Sequence, residues 1–207
     1  MLQLETFPVG PLGCNCTLLW SQESGRGVVV DPGGDGPKIR RRVEQLGIQV
    51  QALLHTHAHF DHVGATRELQ DLWQCEAFLH PGDAYLVEHL DMQTGLFGMA
   101  PVPRPQTTPQ DHGDTRQGLR TLHTPGHTPG SCCFQGEFTG GRVVMAGDTL
   151  FARGVGRTDL WGGSWEQLEE SILKHLYPLD RGTLVIPGHG PLTTIGEEQD
   201  ENPFVRK

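Results

Sequence analysis

Leu53-Leu54-His55-Thr56-His57-Ala58-His59-Phe60-Asp61-His62 is the stretch on which the reading of this chain turns. An apolar, strand-like run ends at Leu54, and His57, His59, Asp61 and His62 follow within a few positions. Imidazoles suit Zn and Fe, and a carboxylate adds negative charge without a redox liability. His57 and His59 lie two apart, so an extended or tightly turned backbone can aim both at one ion. Asp61 and His62 fall at the start of the next helical pattern and can serve a second ion. The bland interpretation is a set of solvated or internally satisfied polar groups. Against it stands the density of the grouping, three His and one Asp in six positions of a chain with 11 His.

Outward from this stretch, three more candidates follow later β-rich runs. His127 lies in His123-Thr-Pro-Gly-His127-Thr-Pro-Gly-Ser131, Asp148 in Val144-Met-Ala-Gly-Asp148, and His189 in Val185-Ile-Pro-Gly-His189-Gly190. Each sits beside a glycine, in a loop or turn. Open α/β sheets place ligand sites on loops at one edge, so separate strand ends meeting at one point would account for all of them.

The strand-like runs are Cys16–Trp20, Gly27–Asp31, Val50–Leu54, Leu119–His123, Arg142–Ala146 and Gly182–Ile186. Several are continuously apolar, as strands covered on both faces are. Helical patterns alternate with them. Gly36 to Leu46 has Pro37 in its first turn and stops at Gly47. His62 to Trp73 carries apolar Val63, Leu69 and Leu72. Ser164 opens a third pattern with Gln167 three positions on, a capping-box signature, and that helix is expected to run to Leu176. The mixture continues over the whole length, which predicts one α/β domain spanning residues 1–207. Residues 95–117 are rich in Gly, Pro and Thr, and read as irregular, either a lid or substrate loop or a plain connection.

Composition excludes several functions. The 207 residues carry a formal net charge of −9, and the densest basic run is Arg40-Arg41-Arg42, expected to be a solvated helix face. No Lys/Arg cluster in the sequence is long enough to track a phosphate backbone, so no nucleic-acid partner is expected. No apolar run approaches the roughly 18 residues of a spanning helix, so no membrane is expected. The N-terminal residues show no signal-peptide pattern, and the expected location is cytoplasmic. The five cysteines are odd in number and include the adjacent Cys132-Cys133, which suits a reducing compartment. Cys14 and Cys16 are expected to be small buried hydrophobes.

Taken together, His57-x-His59-x-Asp61-His62, Thr-Pro-Gly-His127-Thr, Gly-Asp148 and Pro-Gly-His189 resemble the metallo-β-lactamase superfamily, in the right order from end to end. Within it, Gly147-Asp-Thr-Leu-Phe151 and Gly156-Arg-Thr-Asp159 resemble the glyoxalase II group. Pro187-Gly-His-Gly-Pro-Leu-Thr-Thr-Ile-Gly196 with Asn202-Pro-Phe204 resembles its short branch. The resemblance implies an αββα sandwich with a metal site at one edge of the two sheets. It implies that His57, His59 and His127 hold one divalent cation and Asp61, His62 and His189 a second, with Asp148 bridging them. Zn is the first expectation, with Fe or Mn as alternatives. Asp61 and Asp148 are the expected catalytic carboxylates. Two cations sharing a water lower its pKa from 15.7 towards about 7, so hydroxide can serve as nucleophile.

The expected substrate is a small-molecule thioester such as a hydroxyacylglutathione, and the oligomeric state is left open. The chain departs from full-length glyoxalase II enzymes in two ways. Only 18 residues follow His189, fewer than their glutathione-binding helical region needs, and Gly188-His189-Gly190-Pro191 replaces their Gly-His-Glu-Tyr. The competing expectations are a mononuclear-iron persulfide dioxygenase, drawing on His57, His127 and Asp148, and a hydrolase of another small ester, lactone or β-lactam.

The remaining polar candidates have blander expectations. His55 and His123 read as hydrogen-bonded core histidines, and His80, His89, His112 and His175 as non-ligands. Asp31, before Pro-Gly-Gly34, either forms a turn or orients a ligand. Arg157 is expected to pair with Asp159, while Arg153 and Arg157 are both near enough in sequence to Asp148 to meet an anionic substrate. Trp161-Gly-Gly163 suggests no function.

Overall fold

A computed structural model of the chain, describing residues 1–206, builds two six-stranded sheets and a small hairpin. The first sheet has the order β1 (Leu2–Val9), β2 (Cys14–Ser21), β3 (Arg26–Val30), β4 (Gln49–Leu54), β5 (Glu76–Leu79) and β6 (Thr107–Pro109). β1 to β3 pair antiparallel and β3 to β6 parallel. In the second sheet β7 (Thr115–Arg116), β8 (Leu119–His123), β9 (Cys132–Phe138) and β10 (Gly141–Gly147) pair antiparallel in sequence order. The hairpin β11 (Leu150–Phe151) and β12 (Gly154–Val155) follows. β13 (Leu184–Pro187) then lies parallel to β10, and β14 (Thr193–Thr194) closes the edge.

The layering follows from side-chain alternation. Successive strand residues point to opposite faces, so each adjacent apolar pair divides between two cores. Leu18, Val29 and Leu53 face outward onto α1 (Gly36–Leu46) and α3 (Thr66–Trp73), against Ile39, Val43 and Leu69. Their neighbours Leu19, Val28 and Leu54 face inward and meet Phe134, Met145 and Ile186 of the second sheet. Val144 and Val185 face the other way, onto Leu168, Ile172 and Leu176. Each such fully buried side chain contributes about 1.5–3 kcal/mol. Helix, sheet, sheet, helix is therefore the order of layers, the αββα arrangement expected above.

Boundaries differ from the sequence reading where backbone approach decides. The single helix expected from His62 to Trp73 is two: α2 (Phe60–Val63) and α3. Gly64 lies against the Gly33 carbonyl oxygen, and the Ala65 N–H donates to Pro32 O at 2.9 Å, which pulls the chain off the helical path. The helix expected from Ser164 to Leu176 is regular only over α6 (Trp165–Ser171) and winds wider over Ile172–Leu176. Its cap is as read, with Ser164 Oγ accepting from Gln167 N. The irregular stretch 95–117 contains β6 and β7, and it begins at the end of α5 (Leu90–Leu96), which follows α4 (Ala84–Glu88). α7 (Ile195–Glu201) ends the fold. Among the described residues no helix is long and apolar enough to cross a membrane.

At the ligand-bearing ends, the two sheets are joined through backbone. Cys132 N donates to Thr56 O, and Asn15 N to Gly188 O, both at 2.7 Å. Gly33 is pressed against the same region: a Cβ there would run into the Asp61 carbonyl oxygen, with Cys14 close behind. Backbone cannot swing aside as a side chain can. Gly33→Ala is expected to lower the unfolding free energy by about 1–3 kcal/mol, read as a lower urea midpoint at unchanged slope.

Candidate metal centre

The C-terminal ends of β4, β8, β10 and β13 carry the seven candidate residues to one place. The loop after β4 leads through His57 and His59 into α2, which presents Asp61 and His62. His127 lies in the turn between β8 and β9, Asp148 directly after β10, and His189 directly after β13. The inner nitrogens of His57 (Nε2), His59 (Nδ1) and His127 (Nε2) form one group, His59 Nδ1 lying 3.0 Å from the first and 2.9 Å from the second. Asp61, His62 and His189 form another: His189 Nε2 is 3.1 Å from Asp61 Oδ2 and 3.3 Å from His62 Nε2. Asp148 stands between them. Its Oδ2 is 3.6 Å from His127 Nε2, and its Oδ1 is 3.4 Å from His62 Nε2.

Outer hydrogen bonds fix which nitrogen of each ring carries a proton. His127 Nδ1 donates to Arg157 O at 2.8 Å, His189 Nδ1 to Leu12 O at 3.2 Å, and His62 Nδ1 to Asp31 Oδ2 at 3.1 Å. His57 Nδ1 donates to Thr56 Oγ1 at 3.1 Å, because that hydroxyl's own proton goes to Asp31 Oδ2 at 2.7 Å. In its neutral form each of these four rings therefore presents a lone pair on its inward nitrogen. Lone pairs converging at these distances repel unless a cation lies among them. Asp148 Oδ1 adds a buried carboxylate oxygen with no hydrogen-bond partner. The residues present thus fit a pair of bound cations, and mixed imidazole and carboxylate donors suit Zn, Fe or Mn.

Electrostatics agree for His57, His59 and Asp148. At the other group, against the effect of burial, neighbouring negative groups, Asp148 and Asp61 among them, hold His62 and His189 above the ordinary imidazole value, so there a bound cation would take the place of protons. Burial, with repulsion from His62 and the other rings, holds His57 well below the ordinary imidazole value. Burial and then His127 lower His59 to about 3. Burial would raise the Asp148 carboxyl, but His62, His127 and His189 outweigh it and hold it well below the usual carboxylate range. At neutral pH, His57 and His59 are neutral donors and Asp148 is ionised, the protonation states that ligation requires.

Three supporting residues were left open or not found in the sequence. Asp31, with a left-handed φ of 50°, uses both carboxylate oxygens: Oδ1 accepts from Thr56 N at 2.8 Å, and Oδ2 is shared by Thr56 and His62. Its side chain orients His62 while its backbone makes a turn, Gly33 N donating to Asp31 O at 2.8 Å, so both readings of Asp31 hold. Asp83, fully buried, accepts from Ala58 N (3.0 Å), Thr128 Oγ1 (2.8 Å) and Gly130 N (2.7 Å). It clasps the His57–His59 loop to the His127 loop. Asn15 Nδ2 donates to Pro187 O and Gly190 O, holding the turn that carries His189. No local motif marks Asp83 or Asn15.

The other polar residues fall as follows. His55 is buried between Phe78 O and Thr66 Oγ1, a core histidine as expected. His123 donates to Pro129 O and stacks on His80 at 3.9 Å, away from the seven. Burial pushes the Cys14 thiol up to about 12, so although it touches His62 it remains a small neutral group. All five cysteines are free. Arg153 pairs with Glu201, and Arg157 pairs with Asp159. Arg157 and Trp161 also line a cleft of about 530 Å³ that opens over His59, Asp61, His127, Asp148 and His189. Trp161, to which the sequence reading gave no role, is thus a wall of the site.

A family model described as the metallo-β-lactamase superfamily matches residues 9–189. Hydroxyacylglutathione hydrolase GloC of Haemophilus influenzae is 36% identical over 211 residues, covering 99% of this chain and 98% of that protein. Among solved structures, BLEG-1 B3 metallo-β-lactamase superimposes with a TM-score of 0.88 at 34% identity, covering 99% of this chain and 100% of the other. TTHA1623 in a di-iron-bound form superimposes with a TM-score of 0.88 at 37% identity, covering 97% of this chain and 100% of the other.

Removing Asp31 strips the outer partner from His62 and a brace from Thr56. Asp31→Ala is expected to weaken divalent-metal binding by about 10–100-fold, measured by competition with a chromogenic chelator. A pH effect follows from His59. Its folded value lies near 3, below the ordinary 6.5, so the unfolded chain takes up the proton first. The stability from keeping this ring neutral is complete above about 6.5 and is lost as the pH falls towards about 3. Chelator-treated wild type is expected to lose more stability over that window than chelator-treated His59→Gln, read by urea midpoints.

Proposed function

The chain belongs to the metallo-β-lactamase superfamily, and from that premise we propose that it hydrolyses small-molecule thioesters at a centre of two divalent cations. His57, His59 and His127 would hold one cation, and Asp61, His62 and His189 the other. The observation that carries this reading is Asp148: its two oxygens face the two groups separately, and the buried Oδ1 has no hydrogen-bond partner. A cation pair supplies a water ionisable near neutral pH and positive charge where a carbonyl oxygen becomes an oxyanion. Zn is the first choice of metal. Likeness to TTHA1623 in its di-iron-bound form supports Fe as an alternative.

The protein's own part is placement. Asp61 and Asp148 both open onto the cleft, which supports assigning them as the carboxylates that would take a proton from the attacking water. Asp31, Thr56, Arg157 O and Leu12 O keep the rings turned inward. With a substrate seated in the open cleft, its apolar walls would displace bulk water and so strengthen the charge interactions beneath it. A thiolate is a good leaving group, which suits a cleft whose acidic side chains are themselves metal-ligand candidates. An amine leaving from an opened β-lactam needs a proton donor, and likeness to GloC supports the thioester reading further. A small-molecule substrate fits the cleft's size and the chain's net charge of −9. Five free cysteines support a cytoplasmic location.

The test combines elemental analysis of protein purified without chelator with hydrolysis assays on lactoyl thioesters, including S-lactoylglutathione, and on a β-lactam. Two ions per chain with thioester turnover is the expected result. One iron per chain with oxygen uptake on a persulfide would overturn it in favour of dioxygenation. Asp148→Ala is expected to lose at least one metal and about 100-fold or more of the turnover; full occupancy with wild-type rate would remove the bridging role.

A further inference from the structure

The cleft over the centre is one-sided in its chemistry. Beyond the candidate metal ligands, its apolar side chains are Leu12, Phe60, Leu96, Phe97, Phe151, Leu160 and Trp161. Among the described residues the only other polar side chains on its wall are Gln93 and Arg157. Gln93 is fully used: Oε1 accepts from Phe60 N, and Nε2 donates to Leu86 O and Ala58 O. Arg157 is gripped by Asp159 through Nε at 2.7 Å and one terminal nitrogen at 2.8 Å, which leaves one terminal nitrogen without a side-chain partner. Leu96 and Phe97, at the end of α5, are 69% and 56% exposed, although Phe97 leans on the Phe60 ring at 5.1 Å. Large apolar side chains held open around the mouth of a catalytic cleft mark what the cleft covers in use.

We infer that the part of the thioester that does not react is apolar, an aromatic or aliphatic group carrying at most one carboxylate, for which the free Arg157 nitrogen is the partner. This rests on the thioesterase reading above. Glutathione brings two carboxylates and an ammonium, and this wall has partners for at most one of the three. A charged group set against apolar surface loses its hydration without replacement. The reaction itself is balanced by water: the acyl carbon–sulfur bond breaks, a carbon–oxygen bond forms, and the products are a carboxylic acid and a free thiol.

The test compares lactoyl thioesters that share the reacting half and differ in the thiol: glutathione and 2-phenylethanethiol. The expected kcat/KM is at least about ten-fold higher for the phenylethyl thioester, the discrimination that one buried methylene can supply. Leu96→Ser and Phe97→Ser are surface changes that should not threaten folding. Each is expected to shrink that ratio, mainly through KM for the phenylethyl substrate. Binding is read separately from turnover by quenching of Trp161 fluorescence in metal-loaded protein, with Trp161→Phe as the blank. The probes are phenethyl methyl sulfide and S-methylglutathione, which have no ionisable thiol. Tighter binding of the phenethyl probe, even where neither thioester is hydrolysed, would support the apolar cleft while overturning the thioesterase reading. Turnover with equal or better use of the glutathione thioester would overturn the inference and leave the thioesterase reading standing.

Discussion

The structure depends on keeping inward-facing imidazole nitrogens unprotonated at close quarters. Three such nitrogens meet at one point, His57 Nε2 lying 3.0 Å and His127 Nε2 2.9 Å from His59 Nδ1. Water does not favour this arrangement, and neither does an apolar core. It persists because four of the five rings have an acceptor on the outer nitrogen and positive charge can sit at the middle. Thr56, Asp31, Arg157 O and Leu12 O are those acceptors, and they come from four separate stretches of chain. A large two-sheet scaffold is what brings four such stretches around one point.

The scaffold locks the two sheets together at that end. Backbone hydrogen bonds from Cys132 to Thr56 and from Asn15 to Gly188 cross between ligand-bearing segments. Asp83 adds a side-chain clasp. Burial raises its carboxyl, against the pull of its hydrogen bonds from Thr128, Gly130 and Ala58. A buried charge retained at such a cost holds two loops in register, and loosening it would move His57 and His59 relative to His127. Packing fixes the strands, and polar contacts aim what the strands carry.

Much of this was legible in the sequence, for a local reason. All seven clustered residues stand after β-rich runs or inside one short segment, so spacing made them candidates and the resemblance to the metallo-β-lactamase superfamily implied their roles. The continuous apolar runs of β3 and β4 announced strands buried on both faces. β1, β5 and β9 were not read, since β1 is half-exposed along most of its length and β5 has only four residues. The break at Gly64 depends on the approach of Gly33, thirty-one positions away in sequence. Asp83 was invisible because its three partners lie 25, 45 and 47 residues distant. Pairings of that range belong to the fold, and no window of sequence contains them.

Part of the cleft's wall comes from elements that carry none of its floor. The floor is set by strand ends that backbone bonds tie together. Leu96, Phe97, Leu160 and Trp161 stand on the end of a short helix and on a connecting loop, with no share in the strand ladders. Recognition by these four side chains is therefore separable from the chemistry. A lineage can redraft its menu of substrates through a handful of side chains on that helix and loop while the reactive core passes down untouched.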